Sequence, residues 1–262
     1  LQATETAQPW PLPPTLPTPP TAAPTATLPP ARPTPTPAAI VPTDTQVSKV
    51  YPTMNPGKEK VGAVVDAAFL EWPLLLSETF DQNSINWAEG SEEREIVTNE
   101  WKIEDGVYKW EIQAGQKGVY WMVWPDGAVA QDFYFSSMTH KVGGADNADV
   151  GLFFRMVDDN NFYVFLINRV FGNYAIQALI DGKWYTIVDW KYSDYIYMAK
   201  DPRNSISVGA QGDQFKFYIN GRLVEQLEDD RLPAGKCGYV VDVYGSGDQA
   251  LFFFDDFELR AP

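Results

Sequence analysis

Dipeptides of Asp or Asn followed by Gly recur along this 262-residue chain, and they restrict its fold more than any other feature. Three of them lie between runs in which apolar and polar residues alternate: Asp105-Gly106, Asp181-Gly182 and Asn220-Gly221. These dipeptides supply the positive φ angles that two-residue hairpin turns need, so each one predicts a β-hairpin. Gly212-Asp213 predicts a fourth hairpin, which joins NSISVGA to QFKFYI.

The runs between the turns have the period of two that is typical of a strand with one buried face. Phe215, Phe217 and Ile219, for example, alternate with less apolar residues. VGLFFR (150–155) and NFYVFLIN (161–168) are apolar on both faces and predict central strands. The chain has many short strands, and those that are apolar on both faces must bury both faces. The sequence therefore predicts an all-β jelly-roll sandwich of two packed antiparallel sheets.

Residues 59–70 are the one stretch for which the spacing predicts a helix. Apolar residues from Val61 to Trp72 recur at helical intervals, which predicts a short amphipathic helix packed on its own domain. A helix that binds a partner is the alternative. Gly62 and the β-branched valines also suit a strand.

Several stretches together resemble the concanavalin-A-like jelly-roll superfamily, and most closely its bacterial laminin-G-like members and the domain named for 3-keto-disaccharide hydrolases. They are ETFDQNSINW, IEDGVYKWEI, VGLFFRMVDDNNFYVFLINRVFGNYAIQALIDGKWYTIVDW, NSISVGAQGDQFKFYINGRLVEQLED, LPAGKCGYVV and LFFFDDFEL. The likeness covers about residues 76–260 and lies in spacing and framework residues. It implies a jelly-roll sandwich of a bacterial surface protein, with ETFDQNSINW as the first strand and Trp87, Trp184 and Trp190 in the core.

The first 50 residues differ from the rest, because Pro and Thr repeat through PPTLPTPPTAAPTATLPPARPTPTP. Pro interrupts helices and central β-ladders, so an extended polyproline II segment is predicted. Two uses fit: a stiff O-glycosylated stalk, or an arm that docks in an aromatic groove of another subunit. Residues 51–75 then form a joint and a short docking segment. The candidate glycosylation sites are Thr15, Thr18, Thr21, Thr25, Thr27, Thr34 and Thr36.

Charge and rare residues exclude several classes of function. The chain has 20 basic and 35 acidic residues, so the phosphates of nucleic acids and anionic membranes would be repelled. One cysteine, Cys237, allows no intrachain disulfide, and one histidine, His140, leaves little material for a triad or zinc site. No apolar run is long enough to span a membrane. The chain begins at Leu1, so we expect a removed precursor segment and a secreted, extracellular or surface location.

Catalytic residues are not evident. Glycosidases of the superfamily that this chain resembles place acidic residues at alternating positions of one strand. Their chemistry needs two carboxyls roughly 5.5 to 9.5 Å apart. No Glu-x-Asp-x-Glu run occurs, so no catalytic residue is assigned and a saccharide hydrolase is the least favoured function. We expect no cofactor, except that a structural Ca²⁺ would suit hard oxygen ligands. Its candidate ligands are Asp146, Asp149, Asp158 and Asp255.

Aromatic residues beyond those of the family framework are the candidate binding residues. They are Tyr120, Trp121, Trp124, Tyr192, Tyr195 and Tyr197. A groove of Trp and Tyr suits sugar rings and a polyproline arm equally well. The sequence therefore favours a non-catalytic, structural or adhesive surface protein that self-associates through its arm into a filament or layer. A carbohydrate-binding, lectin-like module on a glycosylated stalk is the alternative.

Overall fold

A computed structural model describes residues 61–199 and 202–262. One helix, α1 (Ala67–Glu71), precedes two antiparallel sheets. The strands are β1 (Leu74–Glu78), β2 (Gly90–Arg94), β3 (Val97–Glu104), β4 (Val107–Ala114), β5 (Val119–Val123), β6 (Val129–Ala130), β7 (Phe133–Gly144), β8 (Ala148–Asp158), β9 (Asn161–Asn168), β10 (Asn173–Ile180), β11 (Lys183–Tyr192), β12 (Asn204–Gln211), β13 (Gln214–Ile219), β14 (Arg222–Glu228), β15 (Gly235–Val243) and β16 (Gln249–Arg260).

The two sheets pack face to face. The first has the order β14-β13-β12-β7-β16-β4-β3-β2, with β1 also paired to β16. The second has the order β11-β10-β9-β8-β15-β5, with β6 also paired to β15. This arrangement confirms the predicted all-β, two-sheet antiparallel sandwich. It also confirms β8 and β9, which carry VGLFFR and NFYVFLIN, as central strands.

All four predicted hairpin turns are present. Each joins two strands through two residues, between β3 and β4, β10 and β11, β12 and β13, and β13 and β14. Asp105 and Gly106 have φ angles of 57° and 71°, and the Asp181-Gly182 and Asn220-Gly221 pairs are similar. These are the conformations that Asx-Gly sequences adopt at low cost.

The core between the sheets is rich in aromatic side chains. Tyr239 of β15 stacks on Phe254 of β16 at 4.1 Å between ring centroids, and Trp87 stacks on Tyr239 at 4.5 Å. Cys237 is fully buried in the same cluster, as a small apolar residue there should be. The expectation that ETFDQNSINW forms a strand is corrected: β1 ends at Glu78, and the rest is a loop whose Phe80 and Trp87 enter the core.

The segment before β1 covers part of the outer face of the first sheet. The helix is shorter than predicted, because Gly62 to Val65 instead hydrogen-bond to Gly221 and Leu223 next to and within β14. Phe69 of α1 packs on Tyr134 and over Gly209, where a side-chain carbon would lie 2.2 Å from the Phe69 ring. Residues 59 and 60, like the predicted arm and all seven candidate glycosylation sites, lie outside the described residues. In the part that the structure describes, no helix has the length and hydropathy to cross a bilayer.

Candidate functional site

The six predicted groove residues do not form one groove. Tyr120 and Trp121 are neighbours on β5, and adjacent strand residues face opposite sides of a sheet. Trp121 is 1% exposed in the core between the sheets, so it cannot line an outer groove. Tyr120 lies on the outer face of the second sheet, where its ring meets Phe162 at 5.9 Å and Trp184 at 5.5 Å.

These ring contacts also define the shape of the outer face. Tyr120 is on β5 and Trp184 is on β11, which are the two ends of the strand order in this sheet. Side chains from both ends can touch only if the sheet curves toward its outer side. The face is therefore concave, and the aromatic cluster formed by Tyr120, Phe162 and Trp184 fills part of it.

The other predicted groove residues lie in different parts of the molecule, and Tyr195 packs against the core between the sheets. Trp124 is half-buried on the outer face, edge-on to Phe153 and 4.5 Å below the ammonium group of Lys236. Tyr195 is half-buried and faces Gly62. Tyr192 and Tyr197 are exposed, at 61% and 56%.

A pocket of about 300 Å³ opens on the outer face of the second sheet. We call it the polar pocket after the Asn, Asp and Tyr residues in its lining, although its accessible surface is mainly apolar. Its lining comes from the ends of β8, β9, β10, β11 and β15 and the turns beside them. The lining residues are Asn147, Asp149, Asn168, Phe171, Asn173, Trp190 and Tyr244. Trp184 and Trp190 both pack against the outer-face cluster, so the expectation of a core position is confirmed for Trp87 and is wrong for these two.

Asn168, at the end of β9, organises the pocket. Its amide nitrogen donates to Asp149 Oδ1 at 2.6 Å and to the Asp146 carbonyl at 3.1 Å. Its Oδ1 accepts from the backbone N–H groups of Val170 and Phe171. An Asn at a strand end commonly holds a turn in this way, and here the turn presents Phe171 to the pocket.

Two carboxyls meet beside the pocket on neighbouring strands. Asp149 of β8 is paired directly with Asp242 of β15, and the Tyr244 hydroxyl donates to Asp149 Oδ2 at 2.8 Å. Burial raises the pKa of Asp149 to about 7, and burial together with the Asp149 charge raises the pKa of Asp242 to about 7. The hydrogen bonds from Tyr244 and Asn168, and then the charge of Lys141, lower the Asp149 pKa, but by less than burial raises it.

Asn173 contributes an unpartnered acceptor beneath the wall of the pocket. Its Oδ1 is buried and has no hydrogen-bond partner among the described residues. Asn173 begins β10, and it is paired with Tyr192 of β11 and with Asn168 of β9. A buried carbonyl oxygen without a donor is costly, so a shift of this side chain toward a donor in the pocket would relieve that cost.

Three exposed side chains lie beside the pocket near Gly172. We call them the aromatic platform: Phe171, Tyr192 and Met198. Gly172 has a φ of +67°. A side-chain carbon at Gly172 would lie 2.6 Å from Met198 Sδ and 3.0 Å from Tyr192 Cε2. The absence of a side chain at this position therefore lets Tyr192 and Met198 pack directly against the turn.

The four candidate Ca²⁺ ligands are not brought together. Asp149 and Asp158 lie near opposite ends of β8. Asp158 accepts from Asn160 N and Asn161 Nδ2, which is the Asx turn expected for this sequence, and Asp255 lies 4.0 Å from Arg203. Across residues 61–199 and 202–262, no three His, Cys, Asp or Glu side chains are grouped closely enough to hold a metal ion.

Several solved structures match part of this chain. No family model matches the chain, and no curated protein matches it. The carbohydrate-binding module CBM66 from Bacillus subtilis matches with a TM-score of 0.49 and 16% identity, over 63% of this chain and 96% of that one. A Bacillus licheniformis beta-glucanase matches with a TM-score of 0.49 and 10% identity, over 71% of this chain and 98% of that one.

A third similar structure is the catalytic domain of an endo-1,3-beta-glucanase (laminarinase) from Thermotoga petrophila RKU-1, with a TM-score of 0.46 and 10% identity, over 73% of this chain and 98% of that one. The two-sheet antiparallel sandwich agrees with the jelly roll that the sequence resemblance implies. At these identities and TM-scores the matches carry no further argument.

Proposed function

We propose that the sandwich is a non-catalytic, extracellular carbohydrate-binding module that holds a saccharide in the polar pocket. The observation that carries this proposal is the half-buried Trp190 ring in one small pocket whose lining also includes Asn147 and Tyr244. Sugars present apolar C–H faces and a ring of hydroxyls. An aromatic surface beside a few fixed polar groups is therefore the chemistry that would recognise them.

The volume of the pocket fits a small part of a saccharide. A volume of about 300 Å³ is at the lower limit for ligand pockets, which suits one or two sugar units. Asn168 and Tyr244 each donate a hydrogen bond to Asp149, which holds the three side chains in place. Groups held in this way are oriented before the ligand arrives, which lowers the entropy cost of binding.

The same contacts favour binding over hydrolysis. Asp149 is only 2% exposed, and each of its oxygens already accepts a hydrogen bond. Asp242 does not line the pocket. An acid or nucleophile must reach the reacting atoms directly, and this carboxyl pair is not placed to do so.

The proposal is tested by measuring saccharide binding with isothermal titration calorimetry. The probes are cello-, laminari- and xylo-oligosaccharides and inulin-type fructo-oligosaccharides. We expect Trp190→Ala to weaken binding of the best probe by tenfold or more, because a stacked ring is lost. Trp124→Ala is the matched control, since Trp124 is a half-buried tryptophan of the same face outside the pocket. If no probe binds, or if both variants bind equally, the polar pocket is not a saccharide site.

A second candidate function is a structural or adhesive surface protein that self-associates through residues 1–50. The exposed rings of Tyr192 and Tyr197 favour it, because aromatic side chains receive polyproline segments. A contact between different patches of identical subunits repeats into a filament or layer. Sedimentation and negative-stain microscopy would compare the full chain with a version beginning near residue 58. Assemblies formed only by the full chain are expected; two monomers would contradict self-association.

A further inference from the structure

We infer that Tyr244 makes the polar pocket sensitive to pH: its ring is held in place while Asp149 and Asp242 share one proton, and is released when the pair loses that proton. Tyr244 lines the pocket and is 36% exposed, so the way it is held affects the shape of the pocket. The consequence for saccharide affinity rests on the proposed function, whereas the behaviour of Tyr244 itself does not.

The geometry places one hydroxyl between two carboxyls. Asp149 and Asp242 are direct cross-strand partners on β8 and β15, and such partners lie on the same face with Cβ atoms roughly 4.5 to 5.5 Å apart. The Tyr244 hydroxyl donates to Asp149 Oδ2 at 2.8 Å and also hydrogen-bonds to Asp242. A hydroxyl has one proton to donate and can also accept. Tyr244 therefore serves both carboxyls at once only if one of them supplies a proton.

The hydrogen bonds assign that proton to Asp242. Asp149 accepts at both oxygens, from Asn168 and from Tyr244, and such bonds favour its charged form. A protonated Asp242 donates to the Tyr244 oxygen, and the Tyr244 hydroxyl donates to Asp149. When the pair loses the proton, two adjacent carboxylates compete for one donor, and like charges directly opposite each other destabilise a strand pair.

The proton of the phenol itself is not the one that is lost. Burial and the charges of Asp242 and Asp149 raise the pKa of Tyr244. Burial raises the pKa of Asp149 to about 7, and burial together with the Asp149 charge raises the pKa of Asp242 to about 7. The two carboxyls titrate as a coupled pair near neutral pH, and the hydroxyl between them stays protonated.

Other titratable groups surround the pair. They are Tyr120 of β5, Lys141 of β7, Asp146 before β8, Arg169 after β9 and Asp248 after β15. Tyr120 is opposite Asp242, and burial raises its pKa to about 12, so it carries no charge near neutral pH. Asp248 accepts from the Gly245 N–H group in the turn that follows Tyr244.

The cations of this group do not balance a second negative charge. Lys141 is the cation whose charge lowers the Asp149 pKa, and it is the weakest of the causes that do so. Its ammonium group already donates to the Ala145 carbonyl, and burial lowers its own pKa. Arg169 donates to the Lys141 carbonyl. Loss of the shared proton is therefore offset mainly by movement of Tyr244, the one partner of the pair with an exposed ring.

Movement of Tyr244 is the route by which this proton affects a ligand. Asp149 is 2% exposed, and Asp242 does not line the pocket, so neither carboxyl contacts a bound saccharide directly. A released ring must be ordered again when a ligand binds, and that ordering costs free energy. Saccharide affinity should therefore be higher below neutral pH than above it.

An NMR titration of the full chain without ligand tests the inference. Tyrosine labelled with ¹³C at Cζ reports on each phenol, and the Tyr244 signal is the one that Tyr244→Phe removes. We expect that signal to shift between pH 5 and 9 with a midpoint near 7, as the carboxyl pair does. In Asp242→Asn the amide donates to Tyr244 at every pH, so the shift should disappear. Asp230→Asn, which changes an exposed carboxyl after β14, should keep it.

A Tyr244 signal that stays constant over this range would overturn the inference, as would a shift that persists unchanged in Asp242→Asn. Calorimetry with the best saccharide probe provides the second readout. The association constant should fall about fivefold from pH 6 to pH 8, and this fall should be lost in Asp242→Asn. Equal affinity at both pH values would contradict the link to binding. If no probe binds at any pH, the proposed function fails, and the titration without ligand still decides the inference.

Discussion

The concave face of the second sheet carries two aromatic regions with different roles. In the aromatic cluster, Tyr120, Phe162 and Trp184 pack on one another and close the face. In the polar pocket, Trp190 lies beside side chains that hydrogen-bond, and space for a ligand remains. Both regions contain a tryptophan of β11, Trp184 in the cluster and Trp190 in the pocket. The partners supplied by neighbouring strands decide whether a ring stabilises the fold or is free to bind.

The largest expected effect is on the cluster. Phe162→Ala removes a fully buried ring that contacts both Tyr120 and Trp184, so we expect it to lower the free energy of unfolding by about 3–5 kcal/mol. Trp190→Ala, on the half-buried pocket ring, should lower it by about 1 kcal/mol or less. Urea unfolding measures both. Equal losses would show that the two regions do not differ in the way described.

The second effect is on the pH dependence of stability. The raised pKa values of Asp149 and Asp242 mean that the folded state holds protons which the unfolded state releases above about pH 4. Stability from this pair is therefore greatest at low pH and is lost as pH rises through about 7. Between pH 5 and 8 the loss should be roughly 2 to 3 kcal/mol for each carboxyl that titrates.

Asp242→Asn is the variant that tests this assignment, because it removes one of the two charges and keeps the shape. Its unfolding free energy should vary less between pH 5 and 8 than that of the parent. Asp189→Asn, which changes an exposed carboxyl of β11, serves as the control. An unchanged profile in Asp242→Asn would assign the pH dependence to other groups.

The cluster and the hairpins could be predicted from sequence to different extents. Three Asx-Gly turns and one Gly-Asp turn are local chemistry, so all four hairpins were predictable. The opposite faces of Tyr120 and Trp121 also follow from alternation, and applying it would have removed Trp121 from the groove. The pairing of Asp149 with Asp242 depends on which strands are neighbours, and no local pattern shows that. The only sequence signal for this pair was one acidic residue in each apolar run, Asp149 in ADVGLFFR and Asp242 in YVVDVYG.

The smallest expected effect comes from Asn173, whose side-chain oxygen is the unpartnered acceptor beside the pocket. Asn173→Ala should weaken binding of the best saccharide probe by about fivefold, the value of one hydrogen bond of about 1 kcal/mol. Its unfolding free energy should change little, since Asn173 Oδ1 has no partner among the described residues. Asn99→Ala, which removes the acceptor for the Trp110 indole N–H inside the core, should show the reverse pattern. Calorimetry and urea unfolding on the same samples would distinguish the two.

The most direct measurement is an NMR titration of the indole N–H groups with the best oligosaccharide probe. Trp190 and Trp184 are both on the outer face and on the same strand, so each reports on one of the two regions. We expect the Trp190 signal to shift in a saturable way while the Trp184 signal stays in place. A shift of Trp184 without Trp190, or no shift of either ring, would contradict a saccharide site in the polar pocket.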